Sequence, residues 1–476
     1  MKRRSFLLGA AATAVGRLTR RTSRAQSGVR LDVAYDDVGQ TIASDFIGLS
    51  YESAILAGGD YFTPENSSAL GLIRSLGERG AVRIGGNTSE RTVWAVDAMS
   101  AGPATVVITP SSIDRLAAAL RLLGWKLIYG LNLARGTPAE AAAEAAYVAK
   151  TVGANLLAFQ IGNEPDGFGR WTAVRPKNYD APAYLAEWRT FHAAIRASVP
   201  GAFFAGPDVA GATDWVAALA GAMPEGLVLL TQHYYADGPA RAPHLSLAKL
   251  LRSNGQIEPS LQRLARYSHE YRLPFRITET NSIYDEGQRG ISDTLGAALW
   301  GLELMFQVAS AGGAGINFHG GVHNRRPSDD KAYTPIARSD DGRYRAAPLY
   351  YGMSMFARAA RGALVPAHLA PDFGELKAFA VRAPDGTLSV CLINKNGTRG
   401  ARITIDPGRK FSVASTTRLA GPAVAATTGV TLGGASIDQF GKWASAPNEE
   451  VRLTSQAAVV DVPAASAALI CMRAGS

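Results

Sequence analysis

The sequence has very little cysteine, which limits the kinds of fold and metal site that it can form. Its 476 residues include only two cysteines, Cys391 and Cys471, and neither lies at a spacing typical of metal ligands. Both occur in apolar, strand-like runs near the C-terminus, where a disulfide and a pair of buried thiols are both consistent with the pattern. A disulfide-rich scaffold and a cysteine-ligated metal centre are therefore excluded.

Acidic residues are absent from the first 27 positions, and this absence explains most of the basic balance of the chain. The formal net charge is +9. Seven positive charges come from this leader: Lys2, Arg3, Arg4, Arg17, Arg20, Arg21 and Arg24. Subtracting these seven leaves +2 for residues 28–476. The body of the chain is thus nearly neutral, and no nucleic-acid partner is expected.

Long hydrophobic runs are also missing. No stretch is long and apolar enough for a membrane helix, although 47% of the residues are hydrophobic. The leader MKRRSFLLGAAATAV combines a twin Arg pair with a short apolar run, and SRAQS supplies small residues suited to cleavage. This pattern predicts a twin-arginine export signal over residues 1–27, and hence a periplasmic or extracellular protein with no membrane span in its mature chain.

Residues 43–361 show a repeated alternation of short apolar runs and helical stretches. The eight runs cover residues 45–53, 81–87, 126–132, 157–164, 202–208, 227–235, 275–281 and 314–320. The gaps leave room for crossover helices, so the pattern predicts parallel strands and a (β/α)8 TIM barrel. A doubly wound open sheet would alternate in the same way, but the first run ends in SYESAIL and lacks a glycine fingerprint.

Helical periodicity fades after residue 361. Short alternating runs such as ELKAFAVRAPDGTLSVCLINKNG take its place, and APDGT is a hairpin signal. Residues 362–476 are therefore predicted to form an all-β sandwich. Residues 28–42, before the barrel, are also strand-like, and we expect this segment to pair with the C-terminal β domain.

The predicted strand ends are unusually polar. Active sites of such barrels lie at the C-terminal ends of the strands. The polar residues there are Glu52, Arg83, Asn87, Asn132, Asn163, Glu164, Asp208, His233, Tyr234, Tyr235, Glu279, Asn281, Asn317 and His319. A purely structural barrel needs few of these groups.

Two carboxylates stand out among these residues. Glu164 ends the fourth run and Glu279 ends the seventh, so both can converge across the mouth of an eight-stranded wall. Cleavage of a glycosidic bond requires such a pair, because one group protonates the leaving oxygen while the other attacks the anomeric carbon or activates water. Arg83 can hold Glu279 ionised, and Asn163 can bind a sugar 2-hydroxyl. Taken singly, each residue is equally consistent with a helix cap, a turn or a core position.

The motifs taken together resemble a known enzyme family. RIGGNTSE, QIGNEPD, TQHYY, ITETNS, NFHGG and YTPI are similar to glycoside hydrolase family 79, the β-glucuronidases and heparanases, from about residue 30 to the C-terminus. The resemblance implies a retaining barrel glycosidase whose sandwich is built partly from the segment before the barrel.

The resemblance also implies a role for individual residues. Glu164 is expected to be the acid/base and Glu279 the nucleophile, with Asn163 on the 2-hydroxyl and either Tyr234 or Tyr235 beside the nucleophile. The remaining expected substrate contacts are Glu52 and Asn87 in the glycone subsite, and Tyr284, Tyr333 and backbone amides after the nucleophile for a uronate carboxylate.

One segment departs from the family pattern. Asp285 and Glu286 follow Tyr284, where family members often have glycines. Two acids beside a carboxylate pocket would repel a uronate unless they point away or pair with Arg289. The amide role is then expected to fall to Gly287 and Gln288.

These observations lead to one expected activity and two alternatives. The expected activity is hydrolysis of β-linked glucuronic acid with retention, on a carbohydrate substrate, with no metal or organic cofactor. The alternatives are a retaining glycosidase of the same superfamily acting on a neutral sugar (xylosidase, arabinofuranosidase or glucosidase type) and a non-catalytic carbohydrate-binding barrel.

Overall fold

The computed structural model describes residues 26–95, 105–321, 330–371, 374–444, 449–454 and 457–474. The predicted export signal lies outside the described residues, except for positions 26 and 27. Within these ranges, no helix has both the length and the apolar character needed to cross a membrane.

The first strand, β1 (Gln26–Val33), precedes a long region that contains the barrel. The strands of this region are β2 (Ile47–Glu52), β3 (Ala81–Gly85), β4 (Thr92–Trp94), β5 (Val106–Ile108), β6 (Lys126–Leu131), β7 (Leu156–Ile161), β8 (Phe204–Val209), β9 (Leu227–Asp237), β10 (Phe275–Ile283), β11 (Gly315–Gly320), β12 (Ile336–Arg338) and β13 (Tyr344–Ala346). The helices are α1 (Ala54–Gly58), α2 (Ser67–Ser75), α3 (Pro110–Leu123), α4 (Pro138–Val152), α5 (Ala181–Ser198), α6 (Thr213–Gly221), α7 (Leu247–Leu251), α8 (Glu258–Tyr271), α9 (Leu295–Ser310) and α10 (Pro348–Ala359).

Eight of these strands close into a barrel. Their order around the wall is β2, β3, β6, β7, β8, β9, β10 and β11, all paired in parallel, and Ile316 of β11 pairs with Ile47 of β2 to close it. Each predicted run overlaps one of these strands, so the predicted (β/α)8 barrel is confirmed. β3 and β10 are buried along their whole length, as expected for parallel strands covered by helices.

The helices between the strands begin and end at local sequence signals. In α4, Thr137 accepts from the amide of Glu140 while the Glu140 carboxylate accepts from the amide of Thr137, which is a capping box. Gly124 ends α3 with a φ of 73°, a left-handed conformation that glycine adopts at no steric cost. These two signals set where α4 begins and where α3 ends.

The C-terminal region is an all-β domain of two facing sheets. Its strands are β14 (Ala363–Val365), β15 (Ala367–Ala370), β16 (Leu376–Arg382), β17 (Leu388–Asn394), β18 (Ala401–Asp406), β19 (Val413–Ala420), β20 (Thr431–Leu432), β21 (Glu449–Glu450), β22 (Leu453–Thr454), β23 (Ala457–Val462) and β24 (Ser466–Arg473). One sheet has the order β15-β1-β18-β23-β22, and the other has the order β14-β16-β17-β24-β19-β20 with β21 against β19. The barrel together with this sandwich is the fold that the sequence predicts.

The N-terminal strand belongs to the sandwich rather than to the barrel. Arg30 of β1 pairs with Ala370 in the antiparallel direction and with Thr404 in the parallel direction. Leu31 on this strand lies fully buried in the sandwich core with Ile403 and Ile470. The chain therefore completes the β domain with residues from both of its ends.

A buried ion pair ties the two domains together. Lys395, just after β17, lies 2.6 Å from the Glu303 carboxylate of α9 and donates to Asn254 at 2.7 Å. The rings of Phe306 and Phe379 stack across the same interface, with centroids 4.5 Å apart.

Cys391 and Cys471, on neighbouring sandwich strands, are both free thiols.

Candidate active site

At the centre of the C-terminal mouth of the barrel, five charged side chains from five different strands and their loops come together. These side chains are Arg83, Glu164, Asp208, His233 and Glu279, and all but Glu164 are buried. Glu164 follows β7 in a left-handed conformation, with a φ of 47°, and its side chain is 16% exposed. A carboxylate held at the end of a buried strand in this way faces the mouth, where a substrate can reach it.

Glu279 is surrounded by hydrogen-bond donors. Arg83 donates to it from Nη1 at 2.5 Å, and the Tyr235 hydroxyl donates at 2.8 Å. The Nδ1 atom of His319 lies 3.6 Å from the same carboxylate. Burial alone would raise the pKa of Glu279, but the positive charges of His233 and of the Arg83 guanidinium hold it below its ordinary value. Glu279 is therefore an ionised carboxylate.

Glu164 lies in a contrasting environment. Burial raises its pKa above the ordinary value, and the negative charge of Glu279 adds to this shift. His233 is the neighbour that opposes the shift, with Nδ1 2.9 Å from the Glu164 carboxylate. The two glutamates thus differ in the way that an acid and a nucleophile must differ.

The two carboxylates are close together. One oxygen of Glu164 and one of Glu279 lie within 4.8 Å of each other. Retaining glycosidases hold their two carboxyl groups about 5–5.5 Å apart, whereas inverting enzymes leave about 6.5–9.5 Å for a water molecule. The separation favours direct attack by a carboxylate over attack by an interposed water.

Asp208 is a buried anion that supports both sides of the site. Its carboxylate accepts hydrogen bonds from Gln160 and Thr278 at 2.5 Å each, and another from Arg83 Nη2. It also lies 3.0 Å from His233 Nε2, a contact that is an ion pair but lacks hydrogen-bond geometry. Burial would lower the pKa of His233, but the Asp208 and Glu279 carboxylates raise it to about 10. His233 is therefore an imidazolium between Glu164 and Asp208.

The cationic state of His233 bears on metal binding. Glu164, His233 and Glu279 are grouped closely enough to resemble a ligand set. An imidazolium has a proton on both nitrogens and no lone pair to give to a metal ion. The geometry among the described residues is thus that of an acid/base site.

Asn163 is held in place from three directions. Its side-chain oxygen accepts from Arg83 Nη2 at 2.7 Å, and its backbone amide donates to the Glu90 carboxylate. Its Nδ2 donates to Asn87 at 3.3 Å, a long contact that a ligand oxygen can replace. Burial raises the pKa of Glu90 to about 7. Sequence reasoning missed Glu90, whose only signal was its place in the RIGGNTSE motif.

The predicted glycone residues lie on one side of the mouth. Glu52 accepts from the amide and hydroxyl of Thr88 at 2.8 and 2.6 Å. Lys331 Nζ lies 3.7 Å from the same carboxylate and 2.8 Å from His319 Nε2. Asn87 is exposed at the rim. Sequence reasoning missed Lys331, because nothing in SDDKAYTPI distinguishes it from a surface lysine.

The structure decides between the two candidate tyrosines. Tyr235 points into the barrel mouth and donates to Glu279, whereas Tyr234 packs its ring against the hydrophobic core. Neighbouring side chains on a strand point to opposite faces, so only one of the two can reach the nucleophile. The inclusion of Tyr234 among the substrate-binding residues was wrong.

The residues predicted for a uronate carboxylate are only partly brought together. The ring centroids of Tyr284 and Tyr333 lie 6.4 and 6.2 Å from that of Tyr235. The amide of Gly287 has no partner among the described residues, but that of Gln288 donates to Ser292 Oγ at 3.0 Å. The prediction that Gln288 supplies a free amide was therefore wrong, because the turn uses that amide itself.

Other polar strand-end residues stabilise the barrel. Asn132 donates to the carbonyl of Thr92, and Asn317 donates to those of Leu49 and Ala81. Asn281 donates to the carbonyls of His319 and Tyr333, which holds Tyr333 beside the end of β11. These asparagines satisfy buried backbone groups and are therefore structural.

A (β/α)8 barrel with two converging carboxylates, one held ionised and the other with a raised pKa, has the active-site architecture of a glycoside hydrolase. Comparison with known proteins shows which glycoside hydrolases the chain is similar to. The chain is 27% identical to a β-glucuronidase of Neurospora crassa over 335 residues, which are 60% of this chain and 58% of that protein. It is 26% identical to a β-glucuronidase of Aspergillus niger over 402 residues, 75% of this chain and 73% of that protein. The predicted resemblance to β-glucuronidases is thus confirmed.

Solved structures share the fold at lower identity. A 4-O-α-L-rhamnosyl-β-D-glucuronidase from Fusarium oxysporum has a TM-score of 0.76 at 20% identity, covering 92% of this chain and 99% of that chain. A GH51 arabinofuranosidase from Xanthomonas axonopodis pv. citri has a TM-score of 0.67 at 15% identity, covering 94% of this chain and 100% of that chain. No protein-family model matches the chain. The sequence match spans 58% of the Neurospora relative, less than two thirds of its length.

Proposed function

We propose that this protein is a retaining β-glucuronidase of the family 79 type, which hydrolyses β-linked glucuronic acid from a glycoside or oligosaccharide. The observation that carries the proposal is the pairing of Glu164 and Glu279, within 4.8 Å of each other and with pKa values shifted in opposite directions. The two named relatives are β-glucuronidases, which supports the choice of sugar.

The first half of the reaction forms a covalent intermediate. A carboxylate oxygen of Glu279 attacks the anomeric carbon while the bond from that carbon to the leaving oxygen breaks. The leaving oxygen takes the proton from Glu164, and Glu279 becomes an ester of the sugar. Asn163 is placed to hold the 2-hydroxyl during this step.

The second half releases the sugar. Glu164, now a carboxylate, removes a proton from a water molecule, whose oxygen attacks the anomeric carbon. The ester bond to Glu279 breaks, and Glu164 is left protonated for the next cycle. Two displacements at one carbon give net retention of configuration.

Recognition of the uronate rests on the loop after β10 and the loop after β11. The open amide of Gly287 and the hydroxyls of Tyr284 and Tyr333 are the donors proposed for the carboxylate. Asp285 and Glu286 are exposed side chains. Water therefore screens their charge, which reduces the repulsion that a uronate would meet.

A neutral sugar is the second candidate substrate. The arabinofuranosidase that shares the fold shows that such barrels are not confined to uronates. The similarity to two β-glucuronidases favours the acidic sugar. A non-catalytic binding barrel is less consistent with the site, because binding alone does not require two carboxyl groups whose pKa values are shifted in opposite directions.

The test is hydrolysis of p-nitrophenyl β-glucuronide, β-glucoside and β-xyloside by wild type and Glu279→Gln. We expect glucuronide turnover that the substitution abolishes. Proton NMR of the first product should show the β anomer before mutarotation. Turnover of the glucoside or xyloside alone would contradict the uronate assignment and leave the two-step mechanism standing.

Export remains a proposal that rests on the leader. The twin Arg pair and the apolar run that follows support translocation of the folded protein. Fractionation of cells that express the chain with Arg3 and Arg4 both replaced by Lys tests it. We expect the variant to stay in the cytoplasm while wild type leaves it.

A further inference from the structure

Lys331 is a buried cation beside the active site that the proposed reaction does not use. Its side chain is 4% exposed, in the loop between β11 and β12. Its Nζ lies 2.8 Å from His319 Nε2, 3.7 Å from Glu52 Oε1 and 5.9 Å from the ring centroid of Tyr333. A lysine is seldom buried unless a specific contact holds it, and here the shortest contact is to a histidine.

The hydrogen-bond chemistry of this contact sets the protonation of His319. An ammonium group has three donors and no acceptor, so His319 Nε2 must accept from Lys331. A neutral imidazole carries one proton, which must then lie on Nδ1. His319 Nδ1 lies 3.0 Å from Ser50 Oγ and 3.6 Å from Glu279 Oε2. The proton therefore lies within hydrogen-bond distance of Ser50 Oγ, on the edge of the ring that is nearest to Glu279.

The charges around His319 oppose one another. The carboxylates of Glu52 from β2 and Glu279 from β10 favour an imidazolium. Burial and the Lys331 cation disfavour it, and they hold the pKa of His319 below its ordinary value. Arg83 from β3 adds a second cation close by, 3.2 Å from Ser50 Oγ, and Tyr333 faces the ring with centroids 6.1 Å apart.

We infer that Lys331 is a positioning residue that holds His319 neutral, with its proton on Nδ1 toward Glu279. An imidazolium at this position would add a full charge 3.6 Å from a carboxylate that Arg83 already contacts at 2.5 Å. A carboxylate stabilised by one more cation is a weaker nucleophile. This effect on rate rests on the proposed function, whereas the protonation state of His319 does not.

The direct test is nitrogen-15 NMR of histidine-labelled protein, with His319→Gln to identify the signal. In wild type we expect a neutral ring with the proton on Nδ1 at neutral pH. In Lys331→Met, which removes both the donor and the charge, we expect His319 to become protonated, with its midpoint raised by about one pH unit or more. Lys331→Arg, which keeps a cationic donor, should retain the wild-type state.

Two outcomes would overturn the inference. One is a proton on Nε2, or an imidazolium at neutral pH, in wild type. The other is an unchanged His319 signal in a Lys331→Met protein whose circular dichroism shows that it is folded. Neither outcome depends on which sugar the enzyme accepts, so failure here is distinct from failure of the proposed function.

The pH dependence of turnover provides a second readout. The acidic limb of kcat should move to higher pH by about one unit in Lys331→Met and stay in place in Lys331→Arg. A merely structural loss would lower kcat at all pH values without moving the limb, and that result would contradict a positioning role. A wild type with no glucuronide turnover would refute the proposed function and leave the NMR result to decide on Lys331.

Discussion

Arg83 Nη1 donates to Oε2 of Glu279 at 2.5 Å, and both side chains are almost fully buried. A carboxylate in such a place takes up a proton unless a cation lies beside it. The other amino group of the same guanidinium contacts Asp208 and Asn163. One buried arginine on β3 therefore connects the nucleophile to β7 and β8, and it keeps the nucleophile charged.

Replacing Arg83 with Met should destabilise the protein strongly. The change leaves the Glu279 and Asp208 carboxylates buried without their main cation, and breaking a buried pair in this way costs about 3–5 kcal/mol. Urea unfolding at neutral pH measures the loss. Arg30→Met is the matched control, because Arg30 pairs with Asp32 and Asp406 at the exposed surface, where water screens the charges and the loss should be small. Equal losses of unfolding free energy in the two variants would refute the conclusion that Arg83 compensates the buried Glu279 and Asp208 carboxylates.

The Tyr235→Phe and Tyr234→Phe variants should differ clearly in kcat/KM. Tyr235 donates to the nucleophile, and a hydrogen bond to a charged group contributes about 1.5–3 kcal/mol, or roughly 10–100-fold in kcat/KM. Tyr234 packs in the core, and its loss of one hydroxyl should leave kcat/KM within about threefold of wild type. Steady-state kinetics on p-nitrophenyl β-glucuronide compares them. A larger loss for Tyr234→Phe would mean that the strand faces are reversed.

The charge on His233 should make stability depend on pH in a defined direction. Its pKa is about 10 in the folded protein and near the ordinary 6.5 when unfolded. A raised pKa adds stability that is fully present below about pH 6.5 and is lost as pH rises toward 10. The free energy of unfolding of wild type should therefore fall more steeply between these limits than that of His233→Gln. Parallel curves for the two proteins would show that His233 is neutral.

The raised pKa of Glu164 should govern the alkaline limb of kcat/KM. Protonation of the leaving oxygen needs the acid form, so activity should fall as pH rises through that pKa. Glu164→Gln should lose this limb, and its kcat should fall less for p-nitrophenyl than for alkyl glucuronides, because p-nitrophenolate leaves without a proton. Added azide should restore turnover and give the β-azide. An alkaline limb that persists in the variant would assign the acid to another residue.

The barrel was predictable because each strand is a short buried run with helical sequence on either side. FRITETNSI, for example, is buried from Phe275 to Ile283. The long gaps between the runs exclude antiparallel hairpins, which need only short turns. The sandwich was predictable from the alternation of apolar and polar residues along its strands. Residues brought together from distant segments were harder: Lys331 lies in a polar loop, and only the folded chain shows that it contacts His319.

Other features of the site depend on three-dimensional geometry that cannot be read from the amino-acid sequence. Choosing Tyr235 over Tyr234 needs the phase of the strand's pleat at the end of β9, where a register shift against β10 intervenes. Whether the amide of Gln288 is free depends on a turn that closes on Ser292. The convergence of Glu164 and Glu279 at the barrel mouth was predictable, because both lie at the C-terminal ends of predicted strands.

The most direct measurement of the central claim is trapping of the nucleophile. A 2-deoxy-2-fluoro-β-glucuronosyl fluoride slows both steps but carries a good leaving group, so the ester intermediate should accumulate. Mass spectrometry of the intact protein and its peptides should then show one added fluorosugar on the peptide that contains Glu279. A label on any other residue, or inactivation without a covalent adduct, would contradict the account.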